Sequence, residues 1–285
     1  LYEKGVLLQT EGRSIAARLK RFTDQKERAP LIRRSEERFD EAIEIFRTVQ
    51  EKVIARERPL RKDPEKHAKD LQRLAELRTK AAIKLAWTRR YKALLYPEGS
   101  PEAKERFGKA IETFDEYIKT YGSDMSVLSA LYGRGLCHRD VTDLEKALAD
   151  FNQVVEVTKG MPEVRGLRVQ CAVEAARIHT RKGDFDAGLK VIDGLFSDDP
   201  AIANTVEGEK ATIQKAETMV AKAEKLKGTD KEAAAKLYQE AMKLLREVVL
   251  SGSTNVRAAS AERPLLFSTM TCERRAPSLR TAQDR

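Results

Sequence analysis

Large and small apolar residues recur along the chain in a fixed order. In five segments a large apolar residue is followed at three positions by a small residue, at seven by another large residue and at ten by a bulky one. The segments are Phe39-Ala42-Phe46-Val49, Phe107-Ala110-Phe114-Tyr117, Leu144-Ala147-Phe151-Val154, Phe185-Gly188-Ile192-Leu195 and Tyr238-Ala241-Leu245-Val248. At 3.6 residues per turn these offsets fall on one face of an α-helix, and the small residue permits close approach of a neighbour. The pattern predicts five helices, each with one buried stripe.

Residues typical of helix starts separate these segments. Ser100-Pro101-Glu102 and Asp63-Pro64-Glu65 each supply a capping side chain, a proline where no amide bond is lost, and a carboxylate near the positive helix end. Thr229 and Glu232 fit a capping box. The composition, with many Ala, Leu, Lys and Glu residues and only 6% aromatic residues, also favours helices over β-rich structure, so we expect an all-α chain.

The small residues of successive stripes are 68, 37, 41 and 53 residues apart, and such spacing is typical of a helical repeat protein. Residues 169–200 carry the most complete unit: Ala172, Ala175, Ala176 and His179, then Gly183-Asp184-Phe185, then Gly188, Ile192 and Pro200. This order resembles the tetratricopeptide repeat (TPR) family, in which a helix A and a helix B form a hairpin. The resemblance implies a right-handed α-solenoid of irregular TPR-like hairpins. The preceding unit matches it but has no glycine at its turn.

The resemblance divides the chain into three regions. Residues 96–250 are expected to form the TPR-like array, and residues 110–121 are similar to helix B of the bacterial cell-envelope subclass. Residues 1–95 are expected to form a basic helical region with one degenerate TPR-like helix and long flanking helices. Residues 251–285 lack a sustained period and predict a disordered or non-native tail. The bacterial periplasm or envelope and the cytoplasm both remain open as compartments.

Charge is distributed unevenly over the chain. The net charge is +9 over 285 residues, and residues 1–95 alone carry +10. The cations of a possible basic patch are Arg33, Arg34, Arg58, Arg61, Lys62, Arg89, Arg90 and Lys92. This patch suggests an alternative function, binding of nucleic acid or an anionic membrane by the N-terminal helices. Acidic residues are interleaved with the cations, however, which favours ion pairs on solvated helix faces.

Sequence signatures of catalysis and of cofactor or metal binding are missing. There is no phosphate-binding loop, zinc helix, calcium loop or nucleophile elbow. His138 and His179 occupy the same place in their repeats, where a large buried residue is usual in the family, so we interpret both as packing residues. Cys137 and His138 point about 100° apart on a helix and form no nucleophile pair. We therefore predict a non-catalytic protein without a cofactor or metal, although a regulatory fragment of a larger enzyme remains an alternative.

The A helices of such an array line its concave surface, where a partner protein or peptide would bind. The outward stripes of two adjacent A helices predict a binding site formed by Ser129, Tyr132, Leu136, Arg139, Gln170, Val173, Arg177 and Thr180. Tyr132 supplies an aromatic anchor, and Arg139 and Arg177 supply cations suited to an acidic or carboxyl-terminal segment.

Overall fold

A computed structural model of the chain describes residues 1–22, 24–122 and 125–262. Within these ranges ten α-helices follow one another, joined by turns and short 3-10 helices, and no strand is present. The helices are α1 (Tyr2–Arg18), α2 (Gln25–Leu60), α3 (Ala68–Ala93), α4 (Pro101–Tyr121), α5 (Ser126–Asp140), α6 (Leu144–Val157), α7 (Arg165–Lys182), α8 (Phe185–Asp198), α9 (Val206–Leu226) and α10 (Lys231–Glu262). The all-α prediction is confirmed.

Each helix packs against the next along the chain, and this produces a stack of helix hairpins. We call the odd-numbered helices A helices and the even-numbered helices, which carry the five apolar stripes, B helices. The 68-residue spacing between the first two stripes contains no additional hairpin. It is filled by the rest of α2 and by α3, which are 36 and 26 residues long. Long helices therefore account for the irregular period at the N-terminal end.

The stripe on the B helices forms the core, as the sequence predicts. Phe46, Phe114, Phe151 and Ile192 take the central large position in α2, α4, α6 and α8, and each is 0% exposed. The equivalent Leu245 of α10 is 38% exposed. Among the described helices α10 makes extensive contact only with α9, whereas the other four B helices are covered from two sides. The fifth stripe is therefore only partly buried because no described helix follows it.

Small residues on the A helices allow close contact with the stripes. Gly133 and Gly135 of α5 lie against the rings of Phe114 and Phe151, which belong to the preceding and the following B helix. A Cβ atom on Gly135 would lie 2.7 Å from Phe151 Cε1, closer than van der Waals contact allows. Two glycines separated by one residue thus let α5 pack between α4 and α6.

One of the two predicted proline-associated helix starts is confirmed. The amide of Ala103 donates to Ser100 Oγ at 3.2 Å, and α4 begins at Pro101. The prediction at Asp63 is wrong, because α3 begins only at Ala68. Asp63 instead accepts a hydrogen bond from the amide of Lys66 at 3.3 Å, in the turn that joins α2 to α3. The same residue types therefore stabilise a turn here rather than a helix terminus.

The predicted capping box at the start of α10 is displaced by one residue. The amide of Ala233 donates to Asp230 Oδ1 at 2.9 Å, which makes Asp230 the capping residue. Thr229 donates its hydroxyl hydrogen to the carbonyl of Leu226 at 3.3 Å, so it closes α9 instead of opening α10. A carboxylate placed directly before the first helical turn also interacts favourably with the helix dipole.

One predicted region boundary falls between two helices, and the other falls within α10. Residue 95 lies between α3 and α4, and buried side chains of both helices, such as Ala93 and Phe107, belong to one apolar cluster. Helix α10 continues through residues 251–262, so the predicted tail begins with helical residues. Residues 263–285 lie outside the described residues, and disorder there stays a prediction. Within the described ranges no helix combines the length and apolar character needed to cross a membrane.

Candidate functional site

The A helices contact one another as well as their B helices. Helix α1 touches α3, α3 touches α5, and α7 touches α9. Their facing side chains are rich in arginines, carboxylates, amides and hydroxyls, which form hydrogen bonds between helices. These side chains make up the surface on which the sequence predicts partner binding.

An ion pair joins α3 and α5 in the middle of the array. Arg90 of α3 donates from Nη2 to Asp140 Oδ2 of α5 at 2.9 Å, and their side chains are 8% and 12% exposed. Arg139, next to Asp140 in the chain, donates from Nε to Asp140 Oδ1 at 2.9 Å. The carboxylate of Asp140 therefore compensates two guanidinium groups at once.

The ion pairs continue from α5 through α7 to α9. Arg139 donates from Nη1 to Glu174 Oε2 at 2.5 Å, and Arg177 donates from Nη1 to Glu174 Oε1 at 2.7 Å. Arg177 also donates from Nε to Gln214 Oε1 at 3.2 Å. We call this connected set the arginine–carboxylate ladder; its members are Arg90, Asp140, Arg139, Glu174, Arg177 and Gln214. It links four A helices by charge-assisted hydrogen bonds.

A cavity of about 250 Å³ opens beside the ladder, between α5, α7 and α9. Its lining consists of Tyr132 from α5, of Val169, Gln170, Val173, Glu174 and Arg177 from α7, and of Glu207, Lys210, Ile213, Gln214 and Glu217 from α9. Apolar side chains and charged side chains are both present. The cavity is therefore suited to an amphipathic group, which combines an apolar body with a polar end.

The structure brings half of the predicted binding residues to this cavity. Tyr132, Gln170, Val173 and Arg177 line it. Among the other four, Arg139 belongs to the ladder and Leu136 is 6% exposed in the core. The remaining two bridge helices: Ser129 accepts a hydrogen bond from Trp87 Nε1 at 3.3 Å, and Thr180 Oγ1 lies 2.8 Å from Thr218 Oγ1.

Both predicted cations of the site are held by carboxylates of this chain. Burial opposes the charged form of Arg139, yet the nearby charges of Glu174 and Asp140 raise the pKa of its guanidinium. Arg177 shares Glu174 with Arg139. The side chain of Glu174 is only 11% exposed, so removing it would leave Arg177 without a compensating charge and Arg139 with Asp140 alone. These cations therefore contribute first to helix packing.

Tyr132 is the aromatic residue of the cavity. Its ring centroid lies 6.2 Å from that of Trp87 and 6.0 Å from that of Phe151. Burial, followed by the negative charge of Glu174, raises the pKa of the Tyr132 hydroxyl to about 12. The hydroxyl therefore stays protonated near neutral pH and can donate a hydrogen bond. Tyr132 combines an aromatic surface with a polar end.

Five of the eight cations in the predicted basic patch have partners within the chain. Arg33 pairs with Glu37, Arg61 with Glu57, Lys92 with Asp40 and Arg90 with Asp140, while Arg89 donates to the carbonyl of Lys109 and to Thr113 Oγ1. Four of these cations are paired with carboxylates, which reduces the positive charge available to a polyanion.

The patch residues that belong to α2 are also spread along its length. Arg33 and Arg34 lie near its start and Arg58 near its end, and 25 residues of helix separate Arg33 from Arg58 by about 38 Å. Arg34, Arg58 and Lys62 make no ion pair with another residue in the part of the chain that the structure describes. The structure therefore does not gather the eight cations into one surface.

The two histidines that the sequence singled out lie next to aspartates at equivalent turns. His138 Nδ1 lies 3.9 Å from Asp143 Oδ2, and His179 Nδ1 lies 3.4 Å from Asp184 Oδ2. Burial lowers the pKa of His138. No group of three potential metal ligands occurs among residues 1–22, 24–122 and 125–262.

Cys137 has the properties of a packing residue. It is 0% exposed, and burial raises the pKa of its thiol to about 12. A nucleophilic cysteine needs the opposite shift, because the thiolate is the reactive form. The environment of Cys137 therefore disfavours nucleophilic chemistry near neutral pH.

Two parts of the site were missed by the sequence analysis. Asp140 and Glu174 carry the negative charges of the ladder, and the site predicted from the sequence includes no residue of α9. A signal for α9 was available, since the helix before the Tyr238 stripe had to be the A helix of the last hairpin. Applying the same periodicity there would have pointed to the face that carries Glu207, Lys210 and Gln214.

Comparisons with known proteins give matches among solved structures only. No protein-family model matches the chain, and no curated protein matches its sequence. Two crystal structures of a Podosopora anserina putative kinesin light chain, described as having nearly identical TPR-like repeats, are similar to it. The form with a single substitution has 14% sequence identity and a TM-score of 0.47, with 87% of this chain and 98% of that chain covered. The other has 13% identity and a TM-score of 0.46, with 87% and 97% covered. The suggested bacterial subclass gains no support from them.

Proposed function

We propose that this protein is a non-catalytic scaffold that binds a segment of a partner protein on its A-helix surface, at the cavity between α5, α7 and α9. The observation that carries the proposal is the cavity itself. It lies where neighbouring A helices meet, and it includes Tyr132, Gln170, Val173 and Arg177. A stack of helix hairpins provides an extended surface that requires no folding of the binding site when the partner arrives.

The composition of the cavity supports a peptide or protein ligand. Val169, Val173 and Ile213 provide apolar contacts, and Gln170 and Gln214 provide amides that can bond to a peptide backbone. The ladder beside the cavity holds α5, α7 and α9 in fixed relation to one another. A preorganised surface of this kind loses little conformational entropy on binding.

The basic residues of the N-terminal helices do not provide a second candidate function. Most of them pair with carboxylates or carbonyls of the chain, and of the other three Arg34 lies far along α2 from Arg58 and Lys62. Nucleic-acid binding depends on several cations meeting neighbouring phosphates. The arrangement of these residues favours the protein-binding function over that alternative.

Peptide selection against the immobilised full chain tests the proposal. Peptides enriched from a random displayed library are titrated against the wild type, Gln170→Trp and Gln153→Trp by fluorescence anisotropy. Gln170 lines the cavity, whereas Gln153 is exposed on the B helix α6 and serves as the matched control. Obstruction of the cavity by Gln170→Trp should weaken binding by about tenfold or more, equivalent to about 1.4 kcal/mol.

The control variant should bind within about twofold of the wild type, and circular dichroism should show equal helicity in all three proteins. If no peptide is enriched, or if the selected peptides bind Gln170→Trp as well as the wild type, the cavity is not the binding site.

A further inference from the structure

The chemistry of the ligand can be inferred from the charges around the cavity that remain uncompensated. Arg177 is the only cation that α7 contributes to the lining, and it pairs with Glu174 at 2.7 Å. Arg139 binds the other oxygen of the same carboxylate at 2.5 Å. An acidic ligand would have to compete with Glu174 for both guanidinium groups. The α7 lining itself, with one carboxylate and one guanidinium group, therefore has no net charge.

The α9 side of the cavity carries charges without internal partners. Glu207, Lys210, Gln214 and Glu217 are spaced three, four and three residues apart, so they lie along one face of the helix. Over the part of the chain that the structure describes, no ion pair involves Glu207, Lys210 or Glu217. Two carboxylates and one ammonium group therefore leave a net negative charge on this side.

The apolar part of the cavity lies beside these carboxylates. Tyr132 lines it from α5, Val169 and Val173 line it from α7, and Ile213 lies on α9 between Lys210 and Glu217. An aromatic ring and carboxylates together are the groups that bind an ammonium or guanidinium ion at the end of an aliphatic side chain.

We propose that the cavity receives a lysine or arginine side chain of the partner segment, flanked by an aliphatic residue. This inference rests on the proposed function, because it assigns a ligand class to the same cavity. The aliphatic stem of the basic residue packs along Tyr132 and Val173, and its charged end lies near Glu207 or Glu217. The aliphatic neighbour contacts Ile213. The proposed ligand is therefore basic, whereas Arg139 and Arg177 in the sequence suggest an acidic segment.

Three fluorescein-labelled nonapeptide pools test the ligand class. Each pool contains alanine and leucine at random around a central lysine, glutamate or glutamine, and each is titrated against the full chain by anisotropy. The lysine pool should bind about tenfold more tightly than the glutamate pool, and the glutamine pool should fall between them. The difference should shrink as salt is added, because the carboxylates are partly exposed.

Matched charge-removing variants locate the effect. Glu207→Gln/Glu217→Gln should reduce binding of the lysine pool by about fivefold or more, with little change for the glutamine pool. Glu240→Gln/Glu247→Gln removes the same charge from the exposed side of α10 and should leave binding of the lysine pool within about twofold of the wild type. Equal losses in the two double variants would overturn the assignment to this cavity, since only the overall charge would then matter.

The experiment separates failure of this inference from failure of the proposed function. Tighter binding of the glutamate pool, or equal binding of all three pools, overturns the basic ligand class and leaves the scaffold intact. If the lysine pool does not bind, but a peptide selected on the wild type binds and loses affinity in Gln170→Trp, only the basic ligand class is overturned. If neither the pools nor any selected peptide binds, the proposed function fails as well.

Discussion

Thr142 and Gly183 occupy the same position in successive hairpins, and both have a left-handed backbone conformation, with φ angles of 67° and 78°. In each turn the amide of the next residue, an aspartate, donates to the carbonyl of the histidine five residues before it, at 2.8 Å and 2.9 Å. The two turns therefore have the same hydrogen bonds. Glycine adopts this conformation without steric cost, whereas a β-branched residue does not.

Replacing Thr142 by glycine should stabilise the protein. The left-handed conformation costs an L-residue about 1–2 kcal/mol, and part of the gain is offset by the greater flexibility of glycine in the unfolded chain. We expect Thr142→Gly to raise the free energy of unfolding by about 0.5–1 kcal/mol in guanidinium titrations followed by circular dichroism. The converse change, Gly183→Thr, should be destabilising. A loss of stability in Thr142→Gly would show that the threonine makes a compensating contact.

The glycines of α5 should be intolerant of even a methyl group. In Gly133→Ala the new Cβ would clash with the ring of Phe114 in the core. Overpacking of this kind costs about 1–3 kcal/mol, which outweighs the usual helical preference for alanine. Thermal and guanidinium unfolding of Gly133→Ala should both show this loss.

Gly108 and Gly194 provide matched controls, because each lies inside a helix and a Cβ there would meet nothing within 4 Å. Their replacement by alanine should therefore leave stability unchanged or raise it by up to about 1 kcal/mol. A result in which all three substitutions have the same effect would mean that α5 can shift away from Phe114, and that its glycine is not required for close packing.

The fold could be predicted well from the sequence because it depends on local periodicity. The stripe that contains Phe114 and the one that contains Phe151 are each set by residues within three helical turns, and the structure buries both. The burial of Leu245 could not be judged in the same way. Its exposure depends on whether another helix covers α10, and periodicity within one helix carries no information about its neighbours.

The binding surface was harder to predict because its chemistry depends on contacts between helices. Arg139 and Glu174 are 35 residues apart and meet only because α5 and α7 lie next to each other. The sequence predicts Tyr132 and Arg177 on outward stripes, and both line the cavity, but it could not show that a carboxylate already compensates the charge of Arg177. The periodicity of a helix predicts which face a residue lies on. Which charges pair with one another depends on how the helices pack.

Equivalent stripe positions should differ in their contribution to stability according to the helices that cover them. Ile192 is 0% exposed between α7 and α9, whereas Leu245 is 38% exposed on α10. Ile192→Ala should cost about 2–5 kcal/mol, and Leu245→Ala should cost less than about 1.5 kcal/mol. Guanidinium titration of both variants measures the difference.

Comparable losses at the two positions would contradict this explanation. They would mean that Leu245 is covered in solution, either by residues outside the described ranges or by another molecule. Sedimentation velocity over a range of protein concentrations would then distinguish these two causes, because only the second depends on concentration.

His138 should make the stability of the protein depend on pH. It is 8% exposed on α5, and burial lowers its pKa although Asp150 and Asp143 act in the opposite direction. Arg134 and Lys146 are the cations that lower the pKa further. The unfolded chain, in which histidine has a pKa of about 6.5, therefore binds the proton more readily than the folded protein. The stability that neutral His138 supports is fully present above about pH 6.5 and is lost as the pH falls through the lowered pKa.

A comparison with His138→Leu isolates this contribution from the titration of the carboxylates. Both proteins lose stability in acid as shared groups titrate, but only the wild type has to protonate a buried imidazole at this position. The free energy of unfolding of the wild type minus that of His138→Leu, measured in urea at steps from pH 7.5 to pH 5, should therefore fall as the pH is lowered. A difference that stays constant would show that His138 keeps its ordinary pKa in the folded protein. A difference that grows in acid would show that Asp143 and Asp150 outweigh burial and hold the imidazole in its charged form.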